Sequence, residues 1–144
     1  HNARRASHCA PPLRWSADLA IVAQSWADDL AARGCLTIAH SPAAIAGRYG
    51  ENLWWAPAGA FPYATDAVQR WYGEGQDYDY GVAGPRGTAV VGHFTQVVWK
   101  ATSEVGCAVV ACGGLDVLVC DYAAPGNYIG EFAANVLNPA TCTA

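Results

Sequence analysis

The most regular hydrophobic pattern lies near the start of the chain. Leu19, Val22, Ala23, Trp26 and Leu30 stand three or four residues from one another along one face, with Asp18, Gln24, Asp28, Asp29 and Arg33 mostly elsewhere on the wheel. This predicts an amphipathic helix with Ser16 as N-cap, Asp18 in the first turn and Gly34 closing its end. A shorter helix is predicted from Thr65 to Tyr72, with Ala67, Val68 and Trp71 inward and Gly73 and Gly75 stopping it. Residues 76–91 hold three Gly, one Pro and several small residues, and read as a loop. Beyond them the pattern changes. Phe94–Trp99, Gly106–Ala111 and Leu115–Tyr122 are rich in Val, Phe and Trp and are bounded by Gly or polar breaks. They read as three strands, the last two joined by a Gly113-Gly114 hairpin. Helices first and strands later predict an α+β domain, with helices covering a mainly antiparallel sheet.

Composition narrows the class. The 144 residues fit a single domain, 1–144, and show no internal repeat. Sixteen aromatics and abundant Val, Leu and Ala supply the apolar surface that a disordered chain lacks. No apolar run approaches the roughly 18 residues that a membrane span needs. Eight basic residues against twelve acidic ones argue against a nucleic-acid partner. Residues 1–50 carry five Arg against three Asp, whereas residues 51–144 carry nine acids against three bases. The second half is thus the expected home of a cation.

Six cysteines and a single Lys read as an exported, extracellular protein with about three disulfides. No pair is spaced C-x-x-C, so zinc ribbons and thioredoxin-type sites are poorly supported, and 15 connectivities stay open. The chain opens at His1 without a basic-apolar signal segment, which a cleaved precursor or a trimmed chain explains.

Candidate chemistry rests on few residues. His40 and His93 lie beside small or turn residues, Glu51 between Gly50 and Asn52, and Glu74 between Gly73 and Gly75. Two imidazoles and two carboxylates together suit zinc or another divalent cation. Loop residues satisfying backbone groups near helix ends are the alternative. There is no H-E-x-x-H, G-x-S-x-G, P-loop or G-x-G-x-x-G. Thr95 beside His93 is a weak nucleophile candidate, and a cysteine nucleophile conflicts with the disulfides.

Further motifs then fall in register. Gly92–Lys100 (GHFTQVVWK), followed by VGCA at Val105–Ala108, resembles the first signature of the CAP superfamily: cysteine-rich secretory proteins, antigen 5 and pathogenesis-related 1. Leu118–Tyr128 (LVCDYAAPGNY) resembles the second, with Asp121 where the family usually has Asn. The opening HNARR, Pro12-Leu13-x-Trp15, His40-Ser41, Gly50–Leu53 (GENL) and Trp71-x-x-Glu74 match in order, to about Glu131. The likeness is greatest to the plant and fungal pathogenesis-related 1 branch.

The resemblance implies an α-β-α sandwich with helices on both faces of the sheet. It implies that His40, Glu51, Glu74 and His93 meet in one cleft, where some relatives hold zinc or another divalent ion. Two close carboxylates repel unless a cation or proton lies between them, so the cleft is expected to respond to pH in the histidine range. The resemblance also implies Cys35–Cys112 and Cys107–Cys120. Cys9 and Cys142, which remain under that scheme, are expected to tie the N-terminal arm to the C-terminal tail.

Three functions are weighed. The first is a secreted carrier of sterol or a fatty-acid-like lipid, acting in export or in host-microbe defence or virulence. The element that the resemblance implicates is the Tyr78–Val91 loop, with Tyr78, Tyr80, Val82, Val90 and Val91 as binding residues and Ala89 beside them. It lacks the further mid-loop aromatic of many sterol binders, with Gly84–Gly87 there instead. The second is an extracellular interaction or signalling factor with a protein partner, for which Trp54 and Trp55 offer a contact if they are not a lid over the cleft. The third is a metal-dependent hydrolase. The reading favours a monomeric, non-enzymatic binder.

Overall fold

A computed structural model describes residues 1–60 and 64–142. Helix α1 (Asn2–Ala6) opens the chain, and strand β1 (Arg14–Trp15) leads into the long helix α2 (Ala17–Ala32). Ser16 caps α2 as its sequence demands, its hydroxyl accepting from the Leu19 amide at 3.2 Å. A single turn α3 (Pro42–Ile45) precedes strand β2 (Gly50–Pro57) and helix α4 (Ala64–Gly73). A 3-10 turn (Glu74–Asp77) and two short strands, β3 (Tyr78–Asp79) and β4 (Gly84–Pro85), then lead to helix α5 (Gly92–Val98). Strands β5 (Glu104–Cys112) and β6 (Leu115–Ala123) follow, then a last turn α6 (Phe132–Asn135).

The main sheet runs β1-β5-β6-β2, antiparallel except for the parallel pair of β1 and β5. Gly113 and Gly114 both take positive φ, 57° and 77°, and turn β5 into β6 with Cys112 opposite Leu115. Side chains along β6 alternate between two cores. Val117 and Val119 pack with Ala23, Ala27 and Leu30 of α2. Leu118, Cys120 and Tyr122 pack with Val68 and Trp71 of α4 and with Phe94, Val97 and Val98 of α5. The result is the α-β-α sandwich. Helix α2 lies so close to β5 that a Cβ at Gly106 would stand 2.2 Å from the Ala20 nitrogen, which fixes glycine there.

One expected element differs in kind. Phe94–Trp99 reads as a strand from sequence but falls mainly in α5, with Trp99 capping it. The helix is buried all round, with Phe94, Thr95, Gln96, Val97 and Val98 all inaccessible. No polar face remains to mark a helical period, so the run mimics a core strand. The structure closes the disulfides Cys9–Cys142, Cys35–Cys112 and Cys107–Cys120.

Candidate functional site

Each of the four predicted site residues is placed by an element boundary. His40 ends the extended run after α2, just before Ser41, whose hydroxyl accepts from the Ala44 amide and caps α3. Glu51 lies at the start of β2, Glu74 begins the 3-10 turn, and His93 stands in the first turn of α5.

The structure sorts these four into two pairs. His40 Nδ1 donates to Glu51 Oε1 at 2.8 Å, and the Ser41 amide donates to the same oxygen at 3.0 Å. His93 Nδ1 donates to Glu74 Oε1 at 2.6 Å. Glu74 Oε2 accepts from the backbone amides of His93 and Phe94, at 3.1 and 3.2 Å. The carboxylates fix the tautomer: with Nδ1 protonated and donating, each ring keeps Nε2 as its free lone pair.

Strand β2 links the pairs. Asn52, next to Glu51, donates to the His93 carbonyl at 3.2 Å, and the Leu53 carbonyl accepts from the Trp71 indole at 3.1 Å. The Trp71 ring in turn stacks on His93, 6.2 Å between centroids and 12° between planes. A cleft of about 280 Å³ opens beside the first pair, with His40, Glu51, Gln96 and Asn127 in its lining; His93 and Glu74 lie outside that lining. Among the described residues, no group of three or more His, Cys, Asp or Glu side chains is placed to hold a metal ion together.

The Glu51 pair has a third member. Asp121 stands opposite Glu51 in the β2–β6 register and is fully buried. No N–H or hydroxyl of the described residues reaches either Asp121 oxygen or Glu51 Oε2. Burial, and then the Glu51 charge beside it, pushes the Asp121 carboxyl well above the usual carboxylate range. A proton shared between the two carboxyls would satisfy both, and Asp121 is the one whose hold on a proton is strengthened. The sequence shows the signal, an acid inside a strand of apolar residues, without showing which residue faces it.

The predicted lipid loop is packed down in part. Tyr78 is buried against Tyr80 and Phe94, with centroids 4.9 and 5.6 Å away, and Val91 is buried too. Tyr80 is half-buried, whereas Val82 and Val90 are 72% and 67% exposed. None of the five lines a cavity on the α1 side of the sheet. That cavity, about 690 Å³, opens elsewhere, among Ala3 and Arg4 of α1, Trp15 of β1, Val68 of α4, and Leu118 and the Cys107–Cys120 disulfide of the sheet. Trp54 is half-buried and Trp55 48% exposed.

With this geometry in hand, the chain can be set beside known proteins. The profile described as "Cysteine-rich secretory protein family", or CAP, matches residues 1–122. The chain belongs to the CAP family. This CAP domain is 47% identical over 141 residues to Protein PRY2 of Saccharomyces cerevisiae, covering 95% of this chain and 39% of that one. It is 42% identical over 132 residues to Pathogenesis-related protein 1A of Nicotiana tabacum, covering 91% of this chain and 74% of that one. Among solved structures, Na-ASP-1 superposes with a TM-score of 0.74 at 24% identity, over 90% of this chain and 38% of that one. NaASP2, solved with Zn2+, superposes with a TM-score of 0.67 at 22% identity, over 96% and 80%. The structures bear on the fold alone. The CAP domain spans well under half the length of PRY2.

Proposed function

We propose that this CAP domain is a secreted, non-enzymatic carrier of a small lipid, acting outside the cell in export or in host-microbe defence. The observation that carries the reading is the 690 Å³ cavity, whose wall is mostly apolar and whose size suits a small-molecule ligand. Its polar lining residues are His1, Arg4, Gln24, Thr65 and Gln69. Arg4 is held there by Gln69 and lies over the Tyr72 ring, 4.6 Å from the centroid. A mostly apolar slot with a few polar groups suits a sterol hydroxyl or a fatty-acid headgroup. The lipid thus belongs under α1 rather than within the 78–91 loop. The pathogenesis-related name of the tobacco relative supports the defence setting. The test is lipid extraction and mass spectrometry of the purified protein, followed by saturation binding of tritiated cholesterol and tritiated hexadecanoic acid. Saturable binding of either at about one per chain supports the carrier. Its absence for both removes it.

A second reading rests on the two histidine–glutamate pairs. A divalent cation, zinc above all, would be held by His40 and His93, with Glu51 and Glu74 orienting the rings through Nδ1. When bound, the ion supplies a Lewis-acid centre and a structural tie between α5 and the His40 segment. With two imidazoles as protein ligands, water would complete the shell and the ion would exchange readily. Zinc titration by calorimetry, with His93→Ala as control, tests it. Equal binding by both proteins refutes it.

A further inference from the structure

We propose that His8 is an acid-sensitive latch that holds helix α1 closed over the lipid cavity and releases it as the surroundings acidify. The inference rests on the carrier reading for its purpose and on the packing around His8 for its mechanism.

His8 is 1% exposed and sits two residues beyond α1, which walls the cavity with Ala3 and Arg4. Its ring reaches every element around it. Nδ1 donates to the Leu137 carbonyl of the C-terminal tail at 2.7 Å, and Nε2 accepts from the Tyr72 hydroxyl of α4 at 3.1 Å. Phe94 of α5 meets it edge-on at 5.5 Å, and Tyr80 of the segment between β3 and β4 stacks on it at 6.4 Å. The charged groups on its own side are Arg4, over the Tyr72 ring, and the buried Arg5. Arg5 donates to the carbonyls of Pro11, Val97, Trp99 and Thr102. Tyr72 and Tyr80 are the titratable groups that face His8 from α4 and the β3–β4 segment; α5 presents Phe94 and the tail a carbonyl. Among the described residues, no carboxylate bonds to or stacks on the ring.

This cage suits neutral imidazole. Protonation turns Nε2 into a donor, so the Tyr72 hydroxyl must give up its bond to the ring and turn to accept, and it buries a cation to which no carboxylate bonds among the described residues. Burial accordingly lowers the affinity of His8 for a proton, opposed in part by the Leu137 carbonyl. In the unfolded or opened arm the imidazole titrates near 6.5. The closed state therefore binds fewer protons than the open one below that value, and closure is lost as pH falls, by at most about tenfold per pH unit. Cys9, next in the chain, is bonded to Cys142, and α1 is tied down as well by Arg5, by Asn2 on the Leu13 backbone and by His1 on Tyr122, so opening is a local unfolding that His8 biases and the disulfide limits.

The test follows α1 by hydrogen exchange, with protection factors for residues 2–7 corrected for the intrinsic pH dependence of exchange. In parallel, binding of a fluorescent long-chain alcohol, whose headgroup does not titrate, reports the cavity. From pH 7 to pH 5 the wild type should lose arm protection and release the probe at least tenfold more readily, while His8→Gln should show no such change. An NMR titration of the His8 imidazole in the wild-type protein gives a second measure that needs no variant, and its midpoint should coincide with arm opening. Arm protection that does not change with pH, that falls equally in His8→Gln, or whose midpoint lies more than a unit from that of His8 overturns the latch. If no probe binds at any pH, the carrier reading fails, and arm protection still decides the latch.

Discussion

The two histidine–glutamate pairs look alike and are built differently. Both join an imidazole Nδ1 to a carboxylate oxygen. Glu74 then spends its second oxygen on two backbone amides at the start of α5. Glu51 turns its second oxygen toward Asp121 and finds no amide there. One carboxylate is anchored by donors and organises a helix. The other is held in place by a neighbour that must keep a proton. Matching residue types thus hide a structural pair and a proton-dependent one.

The largest effect should come from removing the anchored carboxylate. Glu74→Ala leaves the His93 and Phe94 amides and the His93 ring without their acceptor, a loss of about 2–4 kcal/mol for charge-assisted bonds in a partly buried site. Urea unfolding reads it directly. Glu51→Ala gives up two donors, the Ser41 amide and the His40 ring, against three for Glu74, and should cost about 1–2 kcal/mol. Equal losses in the two variants would erase the distinction between the pairs.

The next effect is one of pH. Asp121 holds its proton in the folded protein well above the pH at which an unfolded Asp releases it, near 3.9. The folded state binds more protons across that window, so this contribution is complete in acid and lost as pH rises. Asp121→Asn donates to Glu51 without titrating. It should match wild type near pH 4 and gain about 1–2 kcal/mol by pH 8, the range for relieving one unsatisfied buried group. Melting temperatures across pH check this, and parallel curves would show that Asp121 is not the proton holder.

Much of this architecture is legible in the sequence. Helix α2 announces itself because one face is buried and the other wet, and the β5–β6 turn because two adjacent glycines are needed at positive φ. Helix α5 is hidden because it has no wet face. The glycines beside Glu51 and Glu74 stand out in sequence, and the structure supplies their reason. A Cβ at Gly50 would lie 2.1 Å from Gln96 Oε1, and one at Gly75 would lie 2.8 Å from the Phe94 ring. Which histidine meets which glutamate is set by long-range packing of β2 against α5, and no local spacing encodes it. The large cavity is less legible still, since Ala3, Trp15, Val68 and Leu118 come from four separate elements and share no motif.

The smallest predicted effect sharpens the Glu51 side. Tyr49 Oη and Ser41 Oγ lie 3.2 Å apart, and burial raises the Tyr49 hydroxyl. Tyr49→Phe should cost about 0.5–1 kcal/mol, as for one ordinary hydrogen bond. A larger loss in thermal unfolding would mean that Tyr49 helps position the Ser41–Glu51 contact.

The central claim is that lipid lies in the cavity under α1 and not in the loop or the cleft. Ala3 and Thr65 line that cavity and are exposed, so Ala3→Trp with Thr65→Trp fills it without disturbing either core. Titration of wild type and this double variant with tritiated hexadecanoic acid and tritiated cholesterol is the direct measurement. The account predicts saturable binding to wild type and at least a tenfold loss in the filled variant at unchanged melting temperature. Equal binding by both proteins would contradict it.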